Sequence, residues 1–334
     1  MRAQIVGTGR ALPARVMTNA DLEKMVATSD AWIVERTGVK ERRILEAGRA
    51  ASDLAAEAAR NACRAAGVAP QELDCIIVST VTPDMPFPAC ATLVQEKLGA
   101  LGGAAFDLSA ACAGFIYALS AGDAFVQKGQ FRRVLVVGVE VLSRVTDWTD
   151  RNTCVLFGDG AGAVVLVPGA AASARPTGRG DSGILSTHLY ADGSAWSHLC
   201  IPAGGSALPA SASTVEARQH YVKMNGREIY KLAVRNMAQA SLAALEANGV
   251  SPDAVDKVIP HQANLRIIEG VAQRCGLPLS KFYLNLADYG NTSSASIPIA
   301  LDEALETGAV KTGDLVLMCA LGAGVSWGSA LVRL

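Results

Sequence analysis

The sequence is poor in aromatics, histidine and net charge. Phe, Trp and Tyr make up 5% of its 334 residues, only four histidines occur, and 30 Lys+Arg face 31 Asp+Glu. A nucleic-acid-binding chain usually carries a basic excess, so the charge balance gives no such reading. The eight cysteines, at 63, 75, 90, 112, 154, 200, 275 and 319, include no C-x-x-C pair. That removes the usual zinc and thioredoxin signatures, and no metal site is expected. Several of these cysteines sit in apolar runs, as reduced core cysteines do, so a cytoplasmic compartment is expected. No apolar run reaches a membrane span and the first residues show no signal-peptide h-region, so no membrane insertion is expected. What is present is 50% hydrophobic and 18% charged. That composition, at this length, suits a globular chain of two domain-sized units.

Two glycine patterns invite a phosphate-binding reading and do not sustain it. Gly7-Thr-Gly9 follows a short apolar strand but lacks the third glycine of a dinucleotide loop, so a tight turn is the better reading. Phe157-Gly-Asp-Gly-Ala-Gly-Ala163 lacks the Gly-Lys-Ser/Thr ending of a P-loop, which leaves close strand packing. Residues 169–181 and 203–218 are rich in Ala, Ser, Gly and Pro and read as exposed loops flanking a strand over 183–190. Ser29 and Asp30 signal a helix start, and Trp32 and Arg36 would share one face of that helix.

An internal repeat organises the chain. An Ala-rich helix over 52–66 leads into Gly67-Val and an apolar strand ending at Ser79; a second over 236–248 leads into Gly249-Val and a strand ending at His261. Gly67 and Gly249, like Ser79 and His261, stand 182 residues apart. The same spacing carries Cys112 onto Ser294 and the run 133–140 onto 315–322, while Asp107 meets Asp288 one residue off. A repeat this long indicates duplication of one α/β unit. Short apolar strands between helices suit sheet interiors. The halves are expected at 1–172 and 173–334.

Duplication brings related strand ends to face one another. Cys112 falls between the apolar run 103–108 and a small-residue helix beginning near Ala113. A thiol at a helix start meets unpaired N–H groups and a positive dipole end, and a lowered pKa is expected there. The alternative is a cysteine packing as a small hydrophobe. His261 ends a strand after Pro260, and Asn291 sits in a turn feeding a helix. Alone, the first reads as a structural histidine and the second as an N-cap. Three strand-end positions from two halves favour a joint site.

Three segments, Asp107-Leu-Ser-Ala-Ala-Cys-Ala-Gly-Phe115, Pro260-His-Gln-Ala-Asn-Leu-Arg266 and Gly290-Asn-Thr-Ser-Ser-Ala-Ser296, together resemble the β-ketoacyl-acyl-carrier-protein synthase III family. The resemblance runs from Ile5 to Leu334. It implies a thiolase fold: two βαβαβαββ halves stacked α-β-α-β-α, in a homodimer. It implies the initiating condensation of fatty-acid synthesis, with acyl-CoA (typically acetyl-CoA) and malonyl-acyl-carrier-protein as substrates and no cofactor. By the same resemblance Cys112 is the acylated nucleophile and His261 and Asn291 stabilise the enolate. Backbone N–H groups of Cys112 and Ala323 would form the oxyanion site. CoA contacts fall on Trp32, Arg36, Arg151, Ala263 and Asn264, and carrier-protein contacts on Lys231 and Arg266. The acyl pocket falls on Val81, Leu142, Phe157, Leu189 and Leu321, closed by Phe87 of a second subunit. Cys319 stands one residue away from where a proton-abstracting thiolase would carry its second cysteine, which turns it to the other strand face.

The chain departs from many family members at Leu321 (phenylalanine), Ala323 (glycine) and Arg227 (asparagine). These departures leave room for a starter-unit ketosynthase or acyltransferase of a secondary pathway with another primer. A non-catalytic dimerisation subunit is the other class of reading; the intact Cys112, His261 and Asn291 argue against it.

Overall fold

The structure, a computed structural model, describes residues 2–169 and 182–334. The half boundary expected at 172/173, and all of the 169–181 loop except Gly169, lie outside the described residues. The first half runs β1 (Ala3–Ala11), α1 (Ala51–Ala66), β2 (Cys75–Ser79), α2 (Cys90–Leu98), β3 (Ala104–Leu108), α3 (Gly114–Gln127), β4 (Val134–Val141) and β5 (Asp159–Pro168). The second runs β6 (Gly183–Ala191), α4 (Gly226–Ala247), β7 (Lys257–Pro260), α5 (Leu265–Cys275), α6 (Ser296–Glu306), β8 (Leu315–Gly322) and β9 (Ser326–Arg333). The strand orders β1-β5-β4-β2-β3 and β6-β9-β8-β7 correspond position by position.

The register keeps the repeat of the sequence. Cys75 pairs with Val134 and Lys257 with Val316, so both members of each pair are 182 residues from their counterparts. The correspondence breaks at one strand. Where β3 lies in the first sheet, the second half offers only Phe282 in a single parallel bridge to Val258. Pro278 and the helical turns Leu279–Lys281 and Leu286–Tyr289 leave too little extended chain between them for a full strand.

Three apolar clusters divide the molecule into layers. One lies between α1 and α2 and the outer face of the first sheet, one between α4 and α5 and the outer face of the second, and one between the sheets around α3 and α6. Full burial of side chains such as Leu54, Phe115 and Ile116 contributes roughly 1.5–3 kcal/mol each. The central layer is thin because its contacts are small. A Cβ on Gly162 of β5 would lie 2.6 Å from the backbone nitrogen of Ile299 in α6, so glycine sets that approach. The Phe157–Ala163 glycines therefore serve strand packing, as their sequence suggests.

Elements outside the repeat gather on the site side. Ser29 caps the helix Asp30–Thr37, accepting from the Trp32 N–H. The basic cluster after it forms a strand, Glu41–Ile44, in which Arg42 is fully buried. The second Ala-rich helix starts at Gly226, ten residues before its composition marks it. The 203–218 stretch is not wholly loop: Ser211 caps a short helix, Ala212–Glu216. Among the described residues no helix is long and apolar enough to cross a membrane.

Candidate active site

Cys112 lies in the tight turn Ala111–Ala113 that joins β3 to α3. Its neighbour Ala111 holds φ at 46°, a left-handed conformation that costs a non-glycine residue of order 1–3 kcal/mol. Gly322, the last residue of β8, presses against this turn; a Cβ there would sit 2.6 Å from the Cys112 nitrogen. Cys112 is half-buried. The expected lowering of its pKa is not what the surroundings produce. Burial of the thiol, with the Glu140 carboxylate nearby, outweighs the Ser293 hydroxyl and the turn's own N–H, and pushes it up to about 12. At rest Cys112 is a thiol.

His261 follows β7 and is anchored at both ends. Its N–H donates to Cys319 O at 2.8 Å, and its ring Nδ1 lies 2.7 Å from Ser296 Oγ. The Gln262 N–H also donates to Ser296 Oγ, at 3.3 Å. In the tautomer in which Ser296 donates its hydroxyl proton to Nδ1, the ring carries its own proton on Nε2. Burial lowers the imidazole to about 3, so it is neutral.

Asn291 is held by its backbone and by its side-chain oxygen. Its N–H donates to Leu156 O at 2.8 Å, and Oδ1 accepts the Ser293 N–H at 2.8 Å. It is therefore not the N-cap of α6, which begins five residues later. With Oδ1 occupied, the side-chain amide is oriented and Nδ2 is the free end. Among the described residues neither His261 Nε2 nor Asn291 Nδ2 has a protein acceptor.

Cys112, His261 and Asn291 line one cavity of about 550 Å³. It thus offers a thiol and two neutral N–H donors, an arrangement suited to covalent chemistry beside a developing negative charge. Cys319 lies fully buried in the outer core, while Leu321, two residues on, lines the cavity. Ala323 follows Gly322 directly and is not among the residues that line the cavity.

Arg36, Arg227, Ala263, Asn264 and Arg266 also line the cavity. Arg36 and Arg151 each hold a guanidinium 4.8 Å from the Trp32 ring centre. Arg266 approaches Glu35, whereas Lys231 borders a neighbouring groove and pairs with Glu228 at 2.8 Å. Of the residues expected in the acyl pocket, Phe157 and Leu321 line the cavity, and Leu142 and Val81 pack behind Phe157. Phe87, 83% exposed, does not line it. Nor does Leu189, which lies on β6 opposite Gly328. Leu199 takes its place in the cavity wall, and Val222 packs beside Leu142 and Phe157. Both were missed in the sequence because they lie around the 203–218 insertion, where no repeat guides the reading. Ser296 was visible only as part of a serine-rich turn.

The comparisons with known proteins agree along the whole chain. Residues 106–193 match the family described as 3-oxoacyl-[acyl-carrier-protein (ACP)] synthase III, and residues 245–334 match its C-terminal part. A β-ketoacyl-[acyl-carrier-protein] synthase III of Caldanaerobacter subterraneus is 52% identical over 333 residues, covering 99% of this chain and 97% of that protein. One of Paramagnetospirillum magneticum is 50% identical over 334 residues, covering 100% and 99%. The crystal structure of 3-oxoacyl-[acyl-carrier-protein] synthase III from Aquifex aeolicus superposes with a TM-score of 0.89 at 48% identity, covering 99% of this chain and all of that one. Matching family models over more than half of the chain and relatives of about half identity along its whole length show that this chain belongs to the β-ketoacyl-acyl-carrier-protein synthase III family.

Proposed function

We propose that this chain catalyses the initiating condensation of fatty-acid synthesis, joining a short acyl group from acyl-CoA, acetyl foremost, to malonyl-acyl-carrier-protein. The observation that carries the reading is the convergence of Cys112, His261 and Asn291 on one cavity. In the first step Cys112 sulfur attacks the acyl-CoA thioester; the C–S bond to CoA breaks and the thiol proton ends on the CoA sulfur. The sulfur attacks as it loses this proton, and because one thiol replaces another the exchange takes up and releases no net proton. In the second step the malonyl C–C bond breaks, CO₂ leaves, and the electron pair becomes an enolate. The His261 Nε2–H and Asn291 Nδ2–H donate to the enolate oxygen. No proton is abstracted from carbon, so two donors without a base serve the step. The enolate carbon attacks the acyl-Cys112 carbonyl, whose oxygen is received by the N–H groups of Cys112 and Ala323. Collapse expels the Cys112 thiolate, which recovers a proton from solvent.

In this reading the arginines at the mouth meet the phosphates of the incoming thioesters. Trp32 with Arg36 and Arg151 receives the CoA base, and Ala263 and Asn264 contact the pantetheine arm. Lys231 and Arg266 face acidic helices of the carrier protein. The acyl group lies against Phe157 and Leu321, with Val81 and Leu142 behind. Phe87, exposed on its own chain, closes the pocket of a second copy in a homodimer working in the cytoplasm. No separate cofactor takes part, since CoA enters as substrate.

The test is mass spectrometry of the Cys112 peptide after exposure to a mixture of acyl-CoAs, followed by malonyl-carrier protein. Acetyl or another short acyl group on Cys112, then its conversion to a 3-ketoacyl carrier protein, is the expected result. Preference for an unusual acyl group would point instead to a secondary-pathway starter enzyme. Failure of every acyl-CoA to label the peptide would overturn the reading.

A further inference from the structure

Glu140 is the penultimate residue of the central strand of the first sheet, its side chain is fully buried and, among the described residues, no cation pairs with it. A buried carboxylate without a counter-charge is expensive unless its oxygens are well supplied with donors. Here they are. Oε2 accepts from the Thr82 hydroxyl at 2.7 Å and is approached by the Thr80 hydroxyl at 3.4 Å, both from the first half. Oε1 accepts from the Ser293 hydroxyl at 3.2 Å and from the Ser294 hydroxyl at 3.0 Å, both from the second half, the Ser294 proton being shared with Ser79 O at 3.0 Å. The Val81 N–H is shared between the two oxygens. The threonine hydroxyls donate, since an ionised carboxylate only accepts, and Thr82 Oγ1 in turn accepts the Val141 N–H and Thr80 Oγ1 the Thr82 N–H. The carboxyl group thus joins the two halves of the molecule, with both second-half hydroxyls on Oε1.

What Oε1 grips is the turn that carries Asn291. Ser293 holds φ at 48°, a conformation that needs outside support in a non-glycine residue. Its hydroxyl reaches Glu140 while its N–H fixes Asn291 Oδ1. Two hydrogen bonds therefore separate Glu140 from the amide that faces the cavity. Burial lifts the Glu140 carboxyl to about 7 against the pull of its donors.

We propose that Glu140 is a positioning residue for the decarboxylating step: through Ser293 and Ser294 it fixes the Asn291 amide so that Nδ2–H and the His261 Nε2–H meet the same oxygen of the malonyl thioester. The inference rests on the function proposed above. A misplacement of about 1 Å in such a donor costs on the order of 100-fold in rate.

The test compares wild type with Glu140→Gln in two assays on the full chain: Cys112 acylation by acetyl-CoA, read by intact mass, and CO₂ release from malonyl-carrier protein. Glu140→Gln should lower the kcat of CO₂ release by roughly 10- to 100-fold, with KM for malonyl-carrier protein unchanged and acylation not slowed, since loss of the carboxylate removes one of the causes that raise the Cys112 thiol. Ser294→Ala removes one arm without changing charge. It should slow CO₂ release in the same direction, and adding it to Glu140→Gln should cost less than the product of the two single effects, because both act on the turn that carries Asn291. CO₂ release at the wild-type rate in either folded variant, or an equal fall in both assays, would overturn the proposal. Should Glu140→Gln fail to fold, Ser294→Ala alone decides it. A wild-type chain inactive in both assays would overturn the functional reading, and this inference with it.

Discussion

The turns Ala111–Ala113 and Ser293–Ala295 are copies of one another. Each follows a left-handed residue, Ala111 at φ 46° or Ser293 at φ 48°, and each feeds a helix of the central layer. Their surroundings differ at the strand ends that meet them. Gly322 of β8 comes to the first turn, and its lack of a side chain lets the backbone close on Cys112. Glu140 of β4, the residue 182 positions earlier, comes to the second turn and fills the space with a carboxylate. Cys112 opens on a cavity, whereas Ser294 is sealed at 1% exposure. Duplication therefore supplied two equal frames. The residue type at the strand end decided which frame holds chemistry and which became its support.

The severest way to break the asymmetry is to make the two turns alike. Cys112→Ser puts in the open turn the residue that the closed turn carries. Acyl transfer from CoA is expected to fall by roughly 10⁴-fold or more, as for loss of a nucleophile. Intact mass after incubation with acetyl-CoA checks this, and a stable acetyl group on the serine variant would remove Cys112 from its role.

Gly322→Ala tests the strand end instead. The new Cβ would lie 2.6 Å from the Cys112 nitrogen and 2.7 Å from Ala110 O, both backbone atoms that cannot turn aside. A loss of about 1–3 kcal/mol in unfolding free energy is expected, with slower acylation because the turn must move. Urea unfolding measures the first effect. A variant as stable as wild type would show that the close approach is not required.

Much of this asymmetry could be read from the chain. The 182-residue repeat survives as strand register, and His261 directly follows a strand as its sequence suggests, whereas Asn291, read as a strand end, follows the helical turn Leu286–Tyr289 instead. The repeat failed where it was one residue off, at Asp288, since the strand equivalent to β3 is reduced to Phe282 in the second half. The thiol's environment was misjudged because a helix start is a local feature, whereas the burial around Cys112 and the charge of Glu140 come from elsewhere in the fold. Glu140 itself left a trace, a lone acid closing an all-apolar strand run. Its partners at 80–82 and 293–294 are joined only by the fold.

The finest test of the comparison is electrostatic, because the two frames hold buried groups that titrate in opposite senses. His261, ordinarily near 6.5, is held at about 3. Between those values the unfolded chain binds the proton and the native chain does not, so His261 makes stability fall as pH drops below 6.5. Glu140, ordinarily near 4.5, is raised to about 7. Between those values the native chain holds a proton that the unfolded chain has lost, so Glu140 makes stability rise as pH drops from 7 to 4.5. From pH 6.5 to 4.5 the two slopes oppose one another, each bounded at about 1.4 kcal/mol per pH unit. Relative to wild type, Glu140→Gln should therefore lose stability more steeply on acidification through this window, and His261→Gln should lose it less steeply or gain. Urea midpoints at pH 6.5, 5.5 and 4.5 read both differences in one series. Parallel profiles for the three proteins would mean that neither group is perturbed, and that the open and closed frames do not differ in the electrostatic sense argued from their burial.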